Sequence, residues 1–471
     1  RNGLNQKKAA KNEEDDMKKL LICIILVLPV LAKAQDHEKV IRSIYDEALV
    51  NGHSYSMLEY LCLNIGHRLS GSPAAAAAVE WTRQTMEAYG FDTVFLQPVM
   101  VPHWVRGKKE IVRVTNSASI GNAELHSIAI GNSVGTGPEG VHAEIVEVQD
   151  FDELISLGEE GVRDKIVFFN RGFDQRLIKT FRAYGGAVNQ RGAGASNAAR
   201  LGAKAVIVRS MASNNDHVPH TGALRYADDA PKIPAVAIST ADADALSAAL
   251  KKEGALSVYI ETHCEMLPDV LSYNVIGEIR GMDNPDEYLV VGGHLDSWDV
   301  GHGAHDDGAG CVQSIEALRI LKEIGYKPRH SIRAVMFMNE ENGLRGGRKY
   351  AEMAGTNNET HIAAIESDAG GFSPRGFRMS GSDKQVKKLQ SWGVYLNPFG
   401  LYELGAPGGG ADIGPLREMG TVLFGLSPDS QRYFDYHHTA EDTFDKVNRR
   451  ELELGAAAMT SLLYLLDSEG I

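Results

Sequence analysis

Cysteine is scarce in this chain of 471 residues: Cys23, Cys62, Cys264 and Cys311 are all there is. They are too few and too scattered for a disulfide scaffold or a thiolate zinc module. Proline is sparse as well, at 16 residues, and 43% of the chain is hydrophobic, so disorder is excluded as the main state and a sizeable core can be buried. Basic charge is in deficit. Lys and Arg total 48 against 62 Asp and Glu, a formal charge of −14, which leaves no basic face of the size a nucleic-acid partner requires. Long apolar runs are missing except for Leu20 to Ala32, which follows Met17-Lys18-Lys19. That run is short for a bilayer span and right for a signal-peptide core, and Ala32-Lys33-Ala34 supplies a small-x-small cleavage pattern. Residues 1–16 then read as an upstream extension and 17–34 as a signal peptide. The mature chain is expected to be exported, periplasmic or secreted, with no stable membrane span after signal removal. The alternative is an N-terminal membrane anchor, but no lipid-attachment cysteine follows the run. Cleavage leaves three cysteines, an odd number that points to buried thiols.

What is present divides the rest into three stretches. From 35 to 116 the pattern is helical: Val40, Ile44 and Ala48 recur at helical spacing, and Ala74 to Tyr89 is a second amphipathic candidate. From 117 to 262 short β-like runs appear, Ala143–Val148, Lys165–Asn170, Ala205–Arg209 and Ala235–Ser239, separated by Gly and Pro clusters. This stretch reads as a smaller inserted β-rich α/β domain. From 263 to 471 strands and helices alternate as in a doubly wound, mostly parallel sheet with helices on both faces. Tyr288–Gly292, Ile332–Met338, Ile362–Ile365 and Val422–Gly425 are its strands, and Val312, Ile315, Leu318, Leu321 and Ile324 form a helix face. Apolar runs without strict alternation indicate strands covered on both faces.

Candidate ligands cluster just past those strands: His294-Leu295-Asp296, Asp306-Asp307-Gly308, Glu340-Glu341, Asp368 and His437-His438. Open α/β sheets collect ligands at the carboxyl ends of their strands, so the separate segments can converge in one crevice. Two imidazoles and at least three carboxylates without a thiolate suit a pair of Zn²⁺ ions. Two ions about 3.5–4 Å apart need a bridging ligand, and Asp306 is the candidate. One ion would take His294 and Asp368, the other Glu341 and His438, with a bridging water that ionises near neutral pH. Glu340 is assigned as the general base that takes the water's proton and returns it to the leaving amine. Asp296 is read as the acceptor that orients the His294 imidazole. His305, Asp307, Asp299 and His302 stand open between supporting residues and ordinary loop polarity.

The strings GGHLDSWDVGHGAHDDGAG (292–310), MNEENGLRGG (338–347), ESDAGG (366–371) and YHHTAEDT (436–443), with SYNVIGEIRG (272–281), resemble the co-catalytic di-zinc exopeptidases, especially the carboxypeptidase Q group and its bacterial relatives. The likeness covers most of residues 36–115 and 265–471. It implies a secreted exopeptidase acting on dipeptides or small peptides, with His294, Asp306, Glu341, Asp368 and His438 as zinc ligands and Glu340 as base. It also implies a homodimer. The insert, with GVRDKIVFFNR and LGAKAVIVRS, looks like a protease-associated domain, whose implied role is to wall or cover the cleft. Related aminopeptidases place Tyr before the last zinc-binding His, whereas this chain has His437, a candidate donor to the oxyanion or else a structural histidine. Gly408 to Asp412 looks like the family's cleft loop, in which Asp412 either lines the substrate pocket or is incidental.

Other readings are weaker. Gly192-Ala193-Gly194 suggests a dinucleotide loop, but Asn197 stands where the third glycine belongs. A non-catalytic ectodomain on a peptidase fold would have lost ligands, and every position is filled. A zinc-dependent glutaminyl cyclase needs only one metal. An aminopeptidase shares all the catalytic residues and differs only in the anchor for the free terminus.

Overall fold

The computed structural model describes residues 37–471; the signal-peptide reading and Cys23 lie outside them. Two sheets organise the chain. In chain order the strands are β1 (Thr93–Val105), β2 (Ile111–Val114), β3 (Ser127–Ala129), β4 (Val141–Val148), β5 (Ile166–Phe169), β6 (Ala205–Arg209), β7 (Ala235–Ile238) and β8 (Ser257–Glu261). Then follow β9 (Glu265–Ile279), β10 (Asn284–His294), β11 (His330–Phe337), β12 (Thr360–Glu366), β13 (Pro374–Ser380), β14 (Glu403–Pro407) and β15 (Val422–Pro428). The larger sheet runs β1-β9-β11-β10-β12-β15-β13-β14 and the smaller β2-β8-β4-β5-β6-β7-β3.

At the centre of the larger sheet β11, β10, β12 and β15 are parallel. Apolar runs give strands that helices can cover on both faces: every residue of β11 is buried. The helix Ala309–Glu323 is buried from Ala309 through Leu321, lying between the sheet and the C-terminal helix Arg449–Glu469. The doubly wound α/β architecture is therefore present. One flank is antiparallel, because β1 pairs with β9 and β9 with β11, and on the other β13 runs antiparallel to β15 but parallel to the edge strand β14.

The β1–β9 ribbon was not apparent from sequence, since Pro98 and Pro102 interrupt β1. The sheet tolerates them because β1 is an edge strand, where a missing N–H costs no ladder bond, and the register shifts around Pro102. The 117 boundary also moves: β2 begins at Ile111 and already belongs to the smaller sheet. In that sheet β4, β5, β6 and β7 are parallel and fully apolar at their centre. Helices cover it, among them Thr240–Glu253, which Ser239 caps by accepting the Asp242 N–H and Gly254 ends at φ +81°. Cys62, Cys264 and Cys311 are all buried thiols.

Candidate active site

The larger sheet delivers its polar residues at the carboxyl ends of adjacent parallel strands. His294 is the last residue of β10, Glu340 and Glu341 sit on the turn after β11, and Asp368 lies two residues past β12. His437 and His438 follow the short helix Tyr433–Tyr436 beyond β15. Asp306 comes from the irregular turn Ala304–Gly308 that opens the buried helix. Gly293 is required here, because a Cβ would stand 2.3 Å from the Asp307 carboxylate.

These segments meet around Asp306. Its Oδ1 is 3.2 Å from His294 Nε2, which lies 3.5 Å from Asp368 Oδ1. Its Oδ2 is 3.2 Å from His438 Nε2, which lies 3.1 Å from Glu341 Oε2. One carboxylate thus presents one oxygen to each of two donor groups. His437 Nε2 is also within 3.7 Å of Asp306 Oδ2. Asp306 Oδ2 and Glu341 Oε1 are buried and lack a hydrogen-bond partner in good geometry among the described residues. Buried oxygens of this kind are costly unless a cation satisfies them.

The electrostatics agree. Burial raises Asp306, but His294 and His438 outweigh it and hold its pKa well below the carboxylate range. Burial opposes charge on His438 too, yet Glu341 and Asp306 bring it up to about 10. Burial, with Asp306 beside it, pushes Glu341 up to about 7. The pocket therefore favours positive charge between its carboxylates. A set of imidazole and carboxylate donors without sulfur fits borderline divalent ions.

Behind the cluster, buried carboxylates repeat one device: each accepts two main-chain N–H groups and so fixes a loop. Asp442 accepts from His305 at 2.7 Å and Asp306 at 3.1 Å. Asp307 accepts from His294 and Gly310. Glu366 accepts from Ala411 and Ile413. Asp296 accepts from Asn339 and Glu340. Asp296 is indeed the acceptor that orients His294, but it accepts through its main-chain carbonyl, 2.9 Å from His294 Nδ1. The Asp296 side chain instead faces the turn that carries Glu340, where two N–H groups converge.

The reading of Asp412 is corrected. It is 1% exposed and absent from the cleft wall, since Glu366 anchors its loop inward. The open residues resolve into supports. His305 stacks between Phe372 and Tyr436, Asp299 pairs with Arg106, and His302 Nδ1 accepts the Phe444 N–H.

The cleft in front of the cluster has a volume of about 1190 Å³, and both sheets wall it. From the larger unit come Asp306, Glu340, Glu341, Asp368, His437 and His438; from the insert come Phe181, Tyr184, Arg191 and the 223–227 segment. His438 has a left-handed main chain at φ 62°, a conformation costing on the order of 1 kcal/mol or more for a non-glycine residue. The insert holds it, with Thr221 N–H donating to the His438 carbonyl at 2.9 Å and Arg191 reaching its Nδ1 at 3.3 Å. Tyr184 stands edge-on to His437. Sequence reasoning missed Asp442, Tyr184, Arg191 and Thr221. Asp442, four residues after His438 in a quoted string, had a local signal; the insert residues had none.

Comparison with known proteins gives a consistent result. Residues 274–463 match Peptidase family M28 and residues 137–246 match the PA domain. Carboxypeptidase Q of Homo sapiens is 34% identical over 439 residues, covering 93% of this chain and 90% of that protein. The crystal structure of a Peptidase M28 precursor from Shewanella amazonensis SB2B superposes with a TM-score of 0.87 at 32% identity, covering 93% of this chain and 98% of that one. A zinc aminopeptidase from Bacillus subtilis shares the fold, with a TM-score of 0.65 at 21% identity over 88% of this chain and 95% of that one.

Proposed function

The chain belongs to peptidase family M28 and is a metallopeptidase, and from that premise we propose that it is an exported zinc exopeptidase that hydrolyses dipeptides or small peptides. The observation that carries this reading is the placement of the two Asp306 oxygens, one toward His294 and Asp368 and the other toward His438 and Glu341. Such a set would hold two ions with Asp306 between them. Zinc bound there supplies Lewis acidity toward the scissile carbonyl and a water acidic enough to ionise near neutral pH.

The chain's own residues do the rest. Glu340 lines the cleft, takes the attacking water's proton and passes it to the leaving amine. His437, packed against Tyr184 and Tyr433, donates to the oxyanion. Arg191, Arg225, Lys232, Arg345 and Arg348 outnumber Asp228 and Asp269 on the remaining wall. That excess supports recognition of a free carboxylate end. Among the described residues no helix is long and apolar enough to cross a membrane, and export is proposed from the apolar run at 20–32. A homodimer is proposed from the family resemblance alone.

The test is hydrolysis of free, N-blocked and C-blocked dipeptides, with and without chelation and zinc readdition. The expected result is zinc-restored cleavage of free and N-blocked substrates and little cleavage of C-blocked ones. The reverse preference would make the enzyme an aminopeptidase; no cleavage by zinc-loaded protein would overturn the reading.

A further inference from the structure

Among the described residues a third group of side chains has metal-ligating geometry, away from the catalytic cluster. His126, His217 and Asp242 bring one ligand atom each to within 4.8 Å of one another. His126 Nδ1 lies 2.9 Å from Asp242 Oδ2 and His217 Nδ1 lies 3.4 Å from Asp242 Oδ1. The two imidazole centroids are 4.5 Å apart. Donors about 2.0–2.1 Å from a tetrahedral ion stand roughly 3.3 Å from each other. The corresponding spacings in the catalytic cluster are 3.1 to 3.5 Å. The insert therefore repeats the donor spacing of the active site with its own residues.

Local structure holds the three donors in place before any ion arrives. Asp242 is 8% exposed and sits in the first turn of the helix Thr240–Glu253, where its N–H bonds to the Ser239 hydroxyl. His126 donates its main-chain N–H to Asp242 Oδ2 at 2.6 Å and accepts the Ser239 N–H on its carbonyl. Asp216, next to His217, accepts the Ala241 N–H and donates its own to the Thr240 hydroxyl. All three ligands are thus anchored to the 239–242 turn. The imidazoles are more than half exposed, so an ion can enter from solvent and water can complete its coordination.

We propose that His126, His217 and Asp242 form an additional site for a borderline divalent ion such as Zn²⁺, Ni²⁺ or Cu²⁺. Two nitrogen donors and one oxygen select this class over Mg²⁺ and Ca²⁺, which take oxygen ligands. The site has a structural consequence for the cleft. Thr221, four residues beyond His217, is the residue whose N–H holds the His438 carbonyl. An ion at His217 fixes one end of the segment that clamps His438 at the other.

The experiment compares the full chain with the double variant His126→Ala/His217→Ala and the milder His217→Gln. Each is equilibrated with micromolar free Zn²⁺, and metal content is measured by mass spectrometry. The expected result is one zinc equivalent fewer per chain in both variants, with an unchanged far-ultraviolet circular dichroism spectrum to show that they fold. Equal zinc content in wild type and variants overturns the site. Amide exchange of residues 210–222 tests the coupling: zinc slows it in wild type and not in the variants, and a wild type indifferent to zinc overturns the bracing role.

Discussion

In the larger sheet the parallel strands β10, β11 and β12 lead into His294, Glu340–Glu341 and Asp368, and β15 leads on to His437 and His438; in the insert β4 to β7 lead into Gln149, Asn170, Ser210 and Ser239. Both sheets have parallel apolar centres, and loops from both wall the same cleft. Parallel topology supplies a crevice at the strand ends. What occupies those ends separates a reactive surface from a supporting one. Burying charge in the larger unit also demands a second layer, and Asp296, Asp307, Glu366 and Asp442 provide it by tying down paired N–H groups. The insert contributes position: it clamps the His438 main chain and packs Tyr184 on His437.

The sharpest test of that division acts on the reactive side. Glu340→Gln keeps the shape of the turn and removes the base, so kcat is expected to fall about 10³-fold with zinc content and thermal stability unchanged. Near-normal turnover would remove Glu340 from the chemistry. A smaller effect probes the supporting side through Gly222, in the insert at φ +118°. A Cβ there would lie 2.3 Å from an Arg191 nitrogen and 2.5 Å from His438 Nδ1. Gly222→Ala is expected to lower kcat by about 10²-fold by displacing His438, since small misplacements cost that much. Unaltered kinetics and zinc content would show that the insert only covers the cleft.

The smallest effect concerns stability. His361, on β12, bonds to Tyr350 at 2.9 Å. Burial, with Arg333 nearby, lowers its pKa from 6.5 to about 4. The unfolded state therefore binds the proton first, and stability is intact above pH 6.5 and falls as the pH drops from there to about 4. The full loss is about 3 kcal/mol at 1.4 kcal/mol per unit. His361→Gln is expected to flatten that part of the pH profile in calorimetry, and an unchanged slope would contradict the assignment.

Much of this was legible before any fold was known. Apolar runs marked the central strands, and the ligand clusters stood directly after them, so His294, Glu340, Glu341 and Asp368 could be placed at one sheet edge from position alone. The β1–β9 ribbon was hidden because its prolines are acceptable only on an edge strand, and edge status is not a local property. Asp296 was legible as the acceptor for His294, but the accepting atom, its main-chain oxygen, was not. Its side chain turns to the N–H groups of Asn339 and Glu340, which approach it only when β11 lies beside β10.

The chain's sequence by itself determined the alternation of strands and helices, the donor types and their order, because these follow from local hydrophobic pattern and side-chain chemistry. Tertiary structure alone decided which oxygen of Asp306 faces which imidazole, which carboxylates stiffen the loops, and that Thr221 and Arg191 of the insert reach His438. Most of those contacts join segments distant in sequence, and only the packing of neighbouring strands and loops in the larger unit, and for Thr221 and Arg191 of the insert upon it, brings them within hydrogen-bond range.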